Sequence, residues 1–484
     1  MAKNDLIFVG LLGAICLLVS LLVPIQYLPF VWGGIGLLIV IILWANFFDL
    51  MTLILLWFIT VACFSYFFWK QAGIGGLNVT IDRLVILVIV ITAFLGWMIG
   101  RLPIKQAPTA LKIILVMLLF FTISLVHSGF RSISEVSPHF RLAGGYYFPT
   151  IALVLTYFAV NDEPQIKKIV WFFFAFGVYL TITAWAEHFE LWEIVFPRYI
   201  ADPELGIHWT RSRGPFLVSA CLGITLVFCF FSNVFLAARS QGPVRPVIYA
   251  VNLLMLPAIF FTQTRSVWLA MVVCLVMWIL LSRRIENKAA VLMLLLALLI
   301  VVVAVFKTNI LSRERPKGGV TDPFPVYARF GLMKITGQIF QDHPIFGVGF
   351  GHFRDYATKY AQDPSSKYIK FGSRLIEHNN FLSILAECGL VGLILYVLVL
   401  VNVFKHSRAL YSRIPPDASG WVSRDLVILY WILMADYLID AMFRETSVDP
   451  FNNGLFFVFT GLILAVDYLL DYRPQYDRIT PIAA

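Results

Sequence analysis

Apolar residues run through this chain in long unbroken stretches, without the strict alternation of a half-buried strand or the single stripe of a soluble helix. The stretches fall near residues 5–22, 29–47, 50–69, 84–100, 110–127, 146–160, 169–187, 215–238, 247–262, 266–282, 288–306, 381–404, 425–443 and 451–470. Most approach the roughly 20 residues that an α-helix needs to cross a hydrocarbon core. Water is absent there, so every backbone group must pair within its own segment, and unalternated stretches of this length select helices over a β-barrel. The pattern predicts an all-α polytopic integral membrane protein with about 14 transmembrane helices, and no fewer than about 12.

Composition sharpens that expectation. Of the 484 residues, 60% are hydrophobic and only 13% are charged, which leaves too little polar surface to clothe a soluble fold of this length. The opening MAKNDLIFVGLLGAICLLVSLLVP has the basic start of a signal peptide but no clear small-x-small cleavage site, and a second apolar stretch follows closely. It is expected to be a retained first span.

The net charge of +9 sits largely in short segments between spans, where it sets topology and is not a nucleic-acid footprint. With the amino terminus in the cytoplasm, the inner segments hold seventeen Lys and Arg, and the short outer ones hold nine. This bias favours both termini inside and places residues 307–380 outside. The chain then divides into spans 1 to 11 (1–306), a long outer loop carrying short helices (307–380), and spans 12 to 14 with a cytoplasmic tail (381–484). Neither an internal repeat nor a low-complexity tract is evident.

Inside that loop, VYARFGLMKITGQIF (326–340) predicts an amphipathic helix whose Phe330, Met333, Ile335 and Phe340 rest on the membrane surface. The stretch HPIFGVGFGHF (343–353) follows. No strand and helix frame its glycines and no lysine follows them, so they are expected to form a tight turn that lets backbone approach a neighbour, and not a nucleotide loop.

Ionisable groups at a membrane are costly and ask for partners. Arg265, in FFTQTRSVWLAM, sits between two spans separated by barely four polar residues, so its guanidinium stays at the membrane boundary. It reads either as a snorkelling arginine among lipid headgroups or as a fork for a phosphate or diphosphate. Arg211 and Arg213, in HWTRSRGPFLVSA, lie on the same predicted face and carry the same two readings. Arg329 on the amphipathic helix reads more simply as a solvated position.

In RLIEHNNFLSILAECGLVG (374–392), His378 opens the twelfth span. Imidazole, with an ordinary pKa of about 6.5, can take a proton from an attacking hydroxyl, or the histidine can simply be a satisfied interfacial residue. Asn379 or Asn380 is suited to cap the helix start. Nine residues of continuous helix turn through about 900° and rise roughly 13 Å, so Glu387 makes no dyad with His378 and is expected to meet a neighbouring helix. Asp436, Asp440 and Arg444 fall at four-residue steps and form one polar stripe, for structural ion pairing or for proton handling.

All six cysteines lie in apolar segments without a CxxC pair, which argues against a disulfide framework or a zinc site. His343, His352 and His378 lack a metal-ligand spacing, and no Asp-x-Asp triplet is available to hold a cation against a nucleotide sugar. No metal and no cofactor is predicted.

Four motifs, in order, resemble the bacterial O-antigen ligase and polymerase superfamily of polytopic membrane glycosyltransferases: RSRGPF (211–216), TQTRSVWLA (262–270), HPIFGVGFGHF (343–353) and above all EHNNFLSILAECGLVG (377–392). They span roughly the carboxy-terminal half. The resemblance implies a GT-C-like helical fold in the bacterial inner membrane. It also implies a glycan donor carried on undecaprenyl diphosphate, and inverting, metal-independent transfer on the periplasmic side. By motif, Arg211 and Arg265 look like diphosphate-binding arginines, with Arg213 as an alternative to Arg211, and His378 looks like the general base. Arg329, Glu387, Asn379, Asp436 and Asp440 are supporting candidates. The acceptor is a lipid A core sugar for a ligase, or a second lipid-linked repeat for an O-antigen or exopolysaccharide polymerase. A lipid-linked glycan flippase, with Asp436 and Asp440 handling protons, and a noncatalytic scaffold are the rivals from other classes.

Overall fold

The structure is a computed structural model and describes residues 49–64, 68, 80–103, 105–132, 137–207, 209–297, 300, 324–360 and 379–476. The first two predicted spans and His378 lie outside the described residues. Within them every regular element is a helix. In chain order these are α1 (Leu50–Cys63), α2 (Ile81–Met98), α3 (Thr109–Ser128), α4 (Pro138–Ala159), α5 (Glu163–His188), α6 (Ser219–Ala237), α7 (Val244–Phe261), α8 (Arg265–Leu281) and α9 (Lys288–Ala297). There follow α10 (Phe324–Asp342), α11 (Phe353–Tyr360), α12 (Asn380–Arg413), α13 (Arg424–Phe443) and α14 (Pro450–Tyr476). Nine helices among the described residues are long and apolar enough to cross a membrane, and α1, α8 and α9 are shorter apolar helices. The chain is a multi-pass membrane protein.

The centre of the bundle is α6, whose sides are covered by α5, α7, α8 and α13, while α14 lies along α4. Aromatic rings knit the centre: Phe173 of α5 meets Phe228 of α6 edge-on at 4.9 Å, and Phe228 meets Phe459 of α14 at 4.7 Å. Close approach of α14 to α4 depends on Gly461, where a Cβ would lie 2.4 Å from the Leu153 carbonyl oxygen. Toward the outside, Leu84, Leu87, Phe94 and Trp97 of α2 and Leu253 of α7 are exposed, as spans facing lipid require.

The two ends of the bundle differ in chemistry. One end holds Lys168 against Asp49, Arg239 and Arg284 around Asp425, and Arg413 and His406 on Asp467. Lys105 closes the carboxy end of α4 there, donating to the carbonyls of Tyr157 at 2.6 Å and Val160 at 2.7 Å between the rings of Tyr157 and Tyr468. The opposite end gathers the described residues of 187–219, 261–265, 343–353 and 443–450, which include Arg211, Arg213 and Arg265.

Three expectations need correction. The sixth apolar stretch begins at 146 in the sequence pattern, but α4 begins at Pro138, because proline suits the first turn and a π-helical turn over Ala143–Tyr147 carries the helix through Gly144 and Gly145. Gly145 lies so close to the 446–449 segment that a Cβ would sit 2.2 Å from the Ser447 carbonyl oxygen. This moves Arg141 out of a loop and into a helix. Second, α12 is not continuous: Gly389 takes φ 62°, ψ −164°, splitting it into a half-helix 380–388 and a long helix from Leu390. Third, Ile335 of α10 faces the opposite way from Phe330 and Met333. Ile335 is buried with Leu332, Ile339, Val348, Phe353 and Ala386, whereas Phe330 and Met333 are exposed.

Candidate functional site

The break at Gly389 explains the glycine-rich turn. Where a helix stops, its carbonyls lose their partners, and inside a membrane they must find others. Here Val348 and Gly349 donate to the carbonyls of Ala386 and Glu387 at 3.0 and 2.8 Å, while Leu390 and Val391 donate to those of Pro344 and Ile345 at 2.9 and 3.2 Å. Side chains would prevent this docking: a Cβ at Gly347 would meet the Glu387 carbonyl carbon at 2.4 Å, and one at Gly389 the Ile345 oxygen at 2.3 Å. Both glycines also hold positive φ. HPIFGVGFGHF is thus the tight turn expected, and its neighbour is the broken helix.

Glu387 sits at the end of the half-helix, fully inside the protein. Its carboxylate accepts both terminal nitrogens of Arg141 at 2.7 Å each, and Phe353 N–H at 3.3 Å. Arg141 also donates from Nε to Ser447 Oγ at 2.8 Å and from Nη2 to Ser383 Oγ at 2.9 Å, pairs with Glu445, and stands 5.0 Å from the Phe350 ring centre. The expectation that Glu387 meets a neighbouring helix is met by a residue that sequence reasoning had left in a loop. The signal that could have found Arg141 is charge matching, since a glutamate in an apolar run needs a cation.

At the start of the half-helix Asn379 is the cap: its Oδ1 accepts Leu382 N–H at 3.0 Å, and its Nδ2 donates to the Met442 carbonyl at 3.1 Å. His378, one residue earlier, lies outside the described residues.

The RSRG segment is tied to the α7–α8 turn. Ser212 N–H donates to the Phe261 carbonyl at 3.2 Å, and Ser219 Oγ lies 3.1 Å from Thr264 Oγ1, which brings Arg211 alongside the turn that leads into Arg265. From below, one carboxylate oxygen of Glu187 accepts the N–H groups of Arg213 at 3.0 Å and Gly214 at 2.7 Å. The side chain of Arg213 is spent on structure. It is buried, donates to the carbonyls of Leu205, Ile200 and Asp202, and stands over Trp209. Burial lowers its pKa, with Glu187 and Asp202 opposing that effect.

Arg265 is exposed at the first position of α8. Arg329 of α10 is half-buried with its guanidinium 5.3 Å from the Phe443 ring centre, and its pKa is lowered first by burial and second by the positive charge of Arg265. Both side chains are guanidiniums, the group whose planar fork suits a phosphate or diphosphate. Half-burial against Phe443 departs from the simple reading of Arg329 as a solvated position.

Of the polar stripe on α13, Asp440 and Arg444 pair, with Arg444 Nε 3.0 Å from Asp440 Oδ1, and Arg444 reaches Asp449 at 3.0 Å and Cys221. Asp436, fully buried one turn below, accepts no hydrogen bond among the described residues. His352 spends its ring nitrogens on Asp355 at 2.7 Å and the Gly129 carbonyl at 3.0 Å.

Residues 250–397 match the family model described as Wzy_C, O-Antigen ligase. Over that stretch the chain is similar to the O-antigen ligase family. Comparison with curated proteins finds no match. The matched stretch contains Arg265, Arg329, the glycine turn, Asn379, Glu387 and also His378. Outside it stand Arg211, the Glu187 brace, Arg141, and the 436–449 segment, each of which contacts elements of that stretch or lies beside them.

Proposed function

We propose that this protein transfers a glycan from undecaprenyl diphosphate to a sugar hydroxyl on the periplasmic face of the bacterial inner membrane, as an inverting O-antigen ligase with lipid A core as acceptor. The observation that carries this reading is the match of residues 250–397 to the O-antigen ligase family model, supported by the Ser212–Phe261 bond that sets the Arg211 segment beside the turn leading into Arg265.

In this reading the polyprenyl chain enters laterally between helices and the diphosphate rests on Arg265, Arg211 and Arg329. Arg211 is preferred to Arg213, which is buried and whose two terminal nitrogens are already occupied by backbone carbonyls. His378 removes the acceptor hydroxyl proton as that oxygen attacks the anomeric carbon. The carbon–oxygen bond to the diphosphate breaks, its electron pair leaves with the phosphate, and the anomeric configuration inverts. Fixed guanidiniums stabilise the departing charge by an amount comparable to an oxyanion-hole donor, about 3 kcal/mol. They do the work that a divalent cation does in other transferases, so chelators should leave the rate unchanged.

The second reading is a polymerase that uses another lipid-linked repeat as acceptor, since the matched family does not separate the two acceptors. A flippase is the third, favoured only by the buried, unpartnered Asp436. One experiment separates them: purified protein in liposomes, given a defined undecaprenyl-diphosphate repeat with and without lipid A core, and the masses of the products. Glycan on core supports the ligase and joined repeats support the polymerase. Movement across the bilayer without a new glycosidic bond overturns both.

A further inference from the structure

We infer that Arg141 is a positioning residue that locks the half-helix 380–388 to the 442–449 segment and thereby fixes the half-helix relative to Arg329, which lies over Phe443 of that segment. This rests on the proposed transferase reading for its kinetic consequence, but the lock itself is a matter of geometry.

The 442–449 segment is a belt between the two halves of the site. Its Met442 carbonyl receives Asn379, its Phe443 ring lies beneath Arg329, and Arg444 is anchored to Asp440 and Asp449. Glu445 and Ser447 then reach inward to Arg141, and Ser383 of the half-helix donates to Glu445 at 3.2 Å. On the other side Arg141 grips Glu387 through a two-nitrogen fork. One planar guanidinium therefore joins Ser383 and Glu387, one turn apart on the half-helix's inner face, to the belt, and its contact with Phe350 adds the glycine turn.

The charges show why this joint is stiff and specific. Arg141 and both glutamates are buried, at 7%, 1% and 1% exposure, so no water is at hand to replace a lost partner. Removing one member leaves an uncompensated charge. A lysine supplies the charge but only a point donor, and cannot serve the Glu387 fork, Ser383, Ser447 and Glu445 together. Asn379 on the Met442 carbonyl and Ser383 on Glu445 still hold the start of the half-helix to the belt, so loss of the fork frees its Glu387 end and changes how the half-helix is angled. An ångström of misplacement is enough to slow a transfer reaction about 100-fold.

The test uses full-length protein carrying Arg141→Lys, with Glu445→Gln as a milder variant should lysine prevent folding. Hydrogen–deuterium exchange is read alongside kinetics per folded molecule, with the undecaprenyl-diphosphate repeat as donor. Exchange over 380–388 should rise about tenfold while α5 and α6 stay unchanged. The kcat should fall about 100-fold with donor KM within about threefold. A merely structural role would speed exchange everywhere or lower only the amount of folded protein. Unchanged exchange over 380–388 in a folded variant overturns the lock, and unchanged kcat overturns the positioning role. Wild-type protein that forms no glycosidic bond with either acceptor defeats the transferase reading, and with it the positioning role, while exchange still decides the lock.

Discussion

The backbone N–H of Ser212 donates to the carbonyl of Phe261 at 3.2 Å, joining the loop that carries Arg211 to the helix that ends just before Arg265. Nearly fifty residues and two helices separate these positions in the chain. The bond sets the loop that bears Arg211 beside the turn that leads into Arg265, the two arginines assigned to a lipid-linked diphosphate in the proposed reading.

Arg265→Lys and Arg265→Ala should both lower transfer about 100-fold or more, because a point charge does not replace a planar fork and preorganised donors carry that much of the barrier. Rates in liposomes, compared at equal folded protein, provide the check. Lysine retaining near-normal activity would turn Arg265 into a headgroup anchor.

Arg329→Ala should weaken donor binding more than Arg265→Ala disturbs folding, since Arg329 lies on α10, which is not among the helices that can span a membrane. Donor KM should rise about tenfold or more, as expected for loss of a charge-assisted contact worth roughly 1.5–3 kcal/mol. An unchanged KM would return Arg329 to the solvated role.

His378→Ala should abolish transfer while leaving the protein inserted and its melting temperature unchanged, as expected if the imidazole serves the hydroxyl proton alone. Product mass after extended incubation reads this most sensitively. Activity close to wild type would remove the base assignment.

Glu187→Ala should leave two buried backbone N–H groups without an acceptor and loosen the RSRG segment, costing about 1–3 kcal/mol. Both melting temperature and donor affinity should drop. A change in neither would mean that the loop holds itself.

Lys105→Met should cost stability by about 1–3 kcal/mol without changing activity per folded molecule. The carbonyls of Tyr157 and Val160 lose their donor, and they lie at the end of the bundle opposite the arginines. Thermal melting in detergent and a matched transfer assay test the two halves of this statement.

Particular residues show how far the sequence reaches. The chemistry of Arg265 and Glu387 was readable because a charge in an apolar stretch is expensive wherever the chain folds. The glycine turn was readable as a close backbone approach, but not what it approaches. Arg141 was invisible as a site residue, since its helix begins with a proline and runs through two glycines, and its partners are some 240 and 300 residues away. Arg211 and Arg213 looked interchangeable until the loop carbonyls at 200, 202 and 205 claimed one of them.

The sequence by itself determined the solvent of this protein and, through it, the all-helical bundle: apolar runs of membrane length leave the backbone no other way to satisfy itself. It also determined which side chains would be costly enough to need partners. Only the tertiary structure decided who those partners are, where α12 breaks, and which arginines still face outward. Helix formation is a local transaction between residues four apart, whereas pairing a buried charge depends on which distant helix packs beside it.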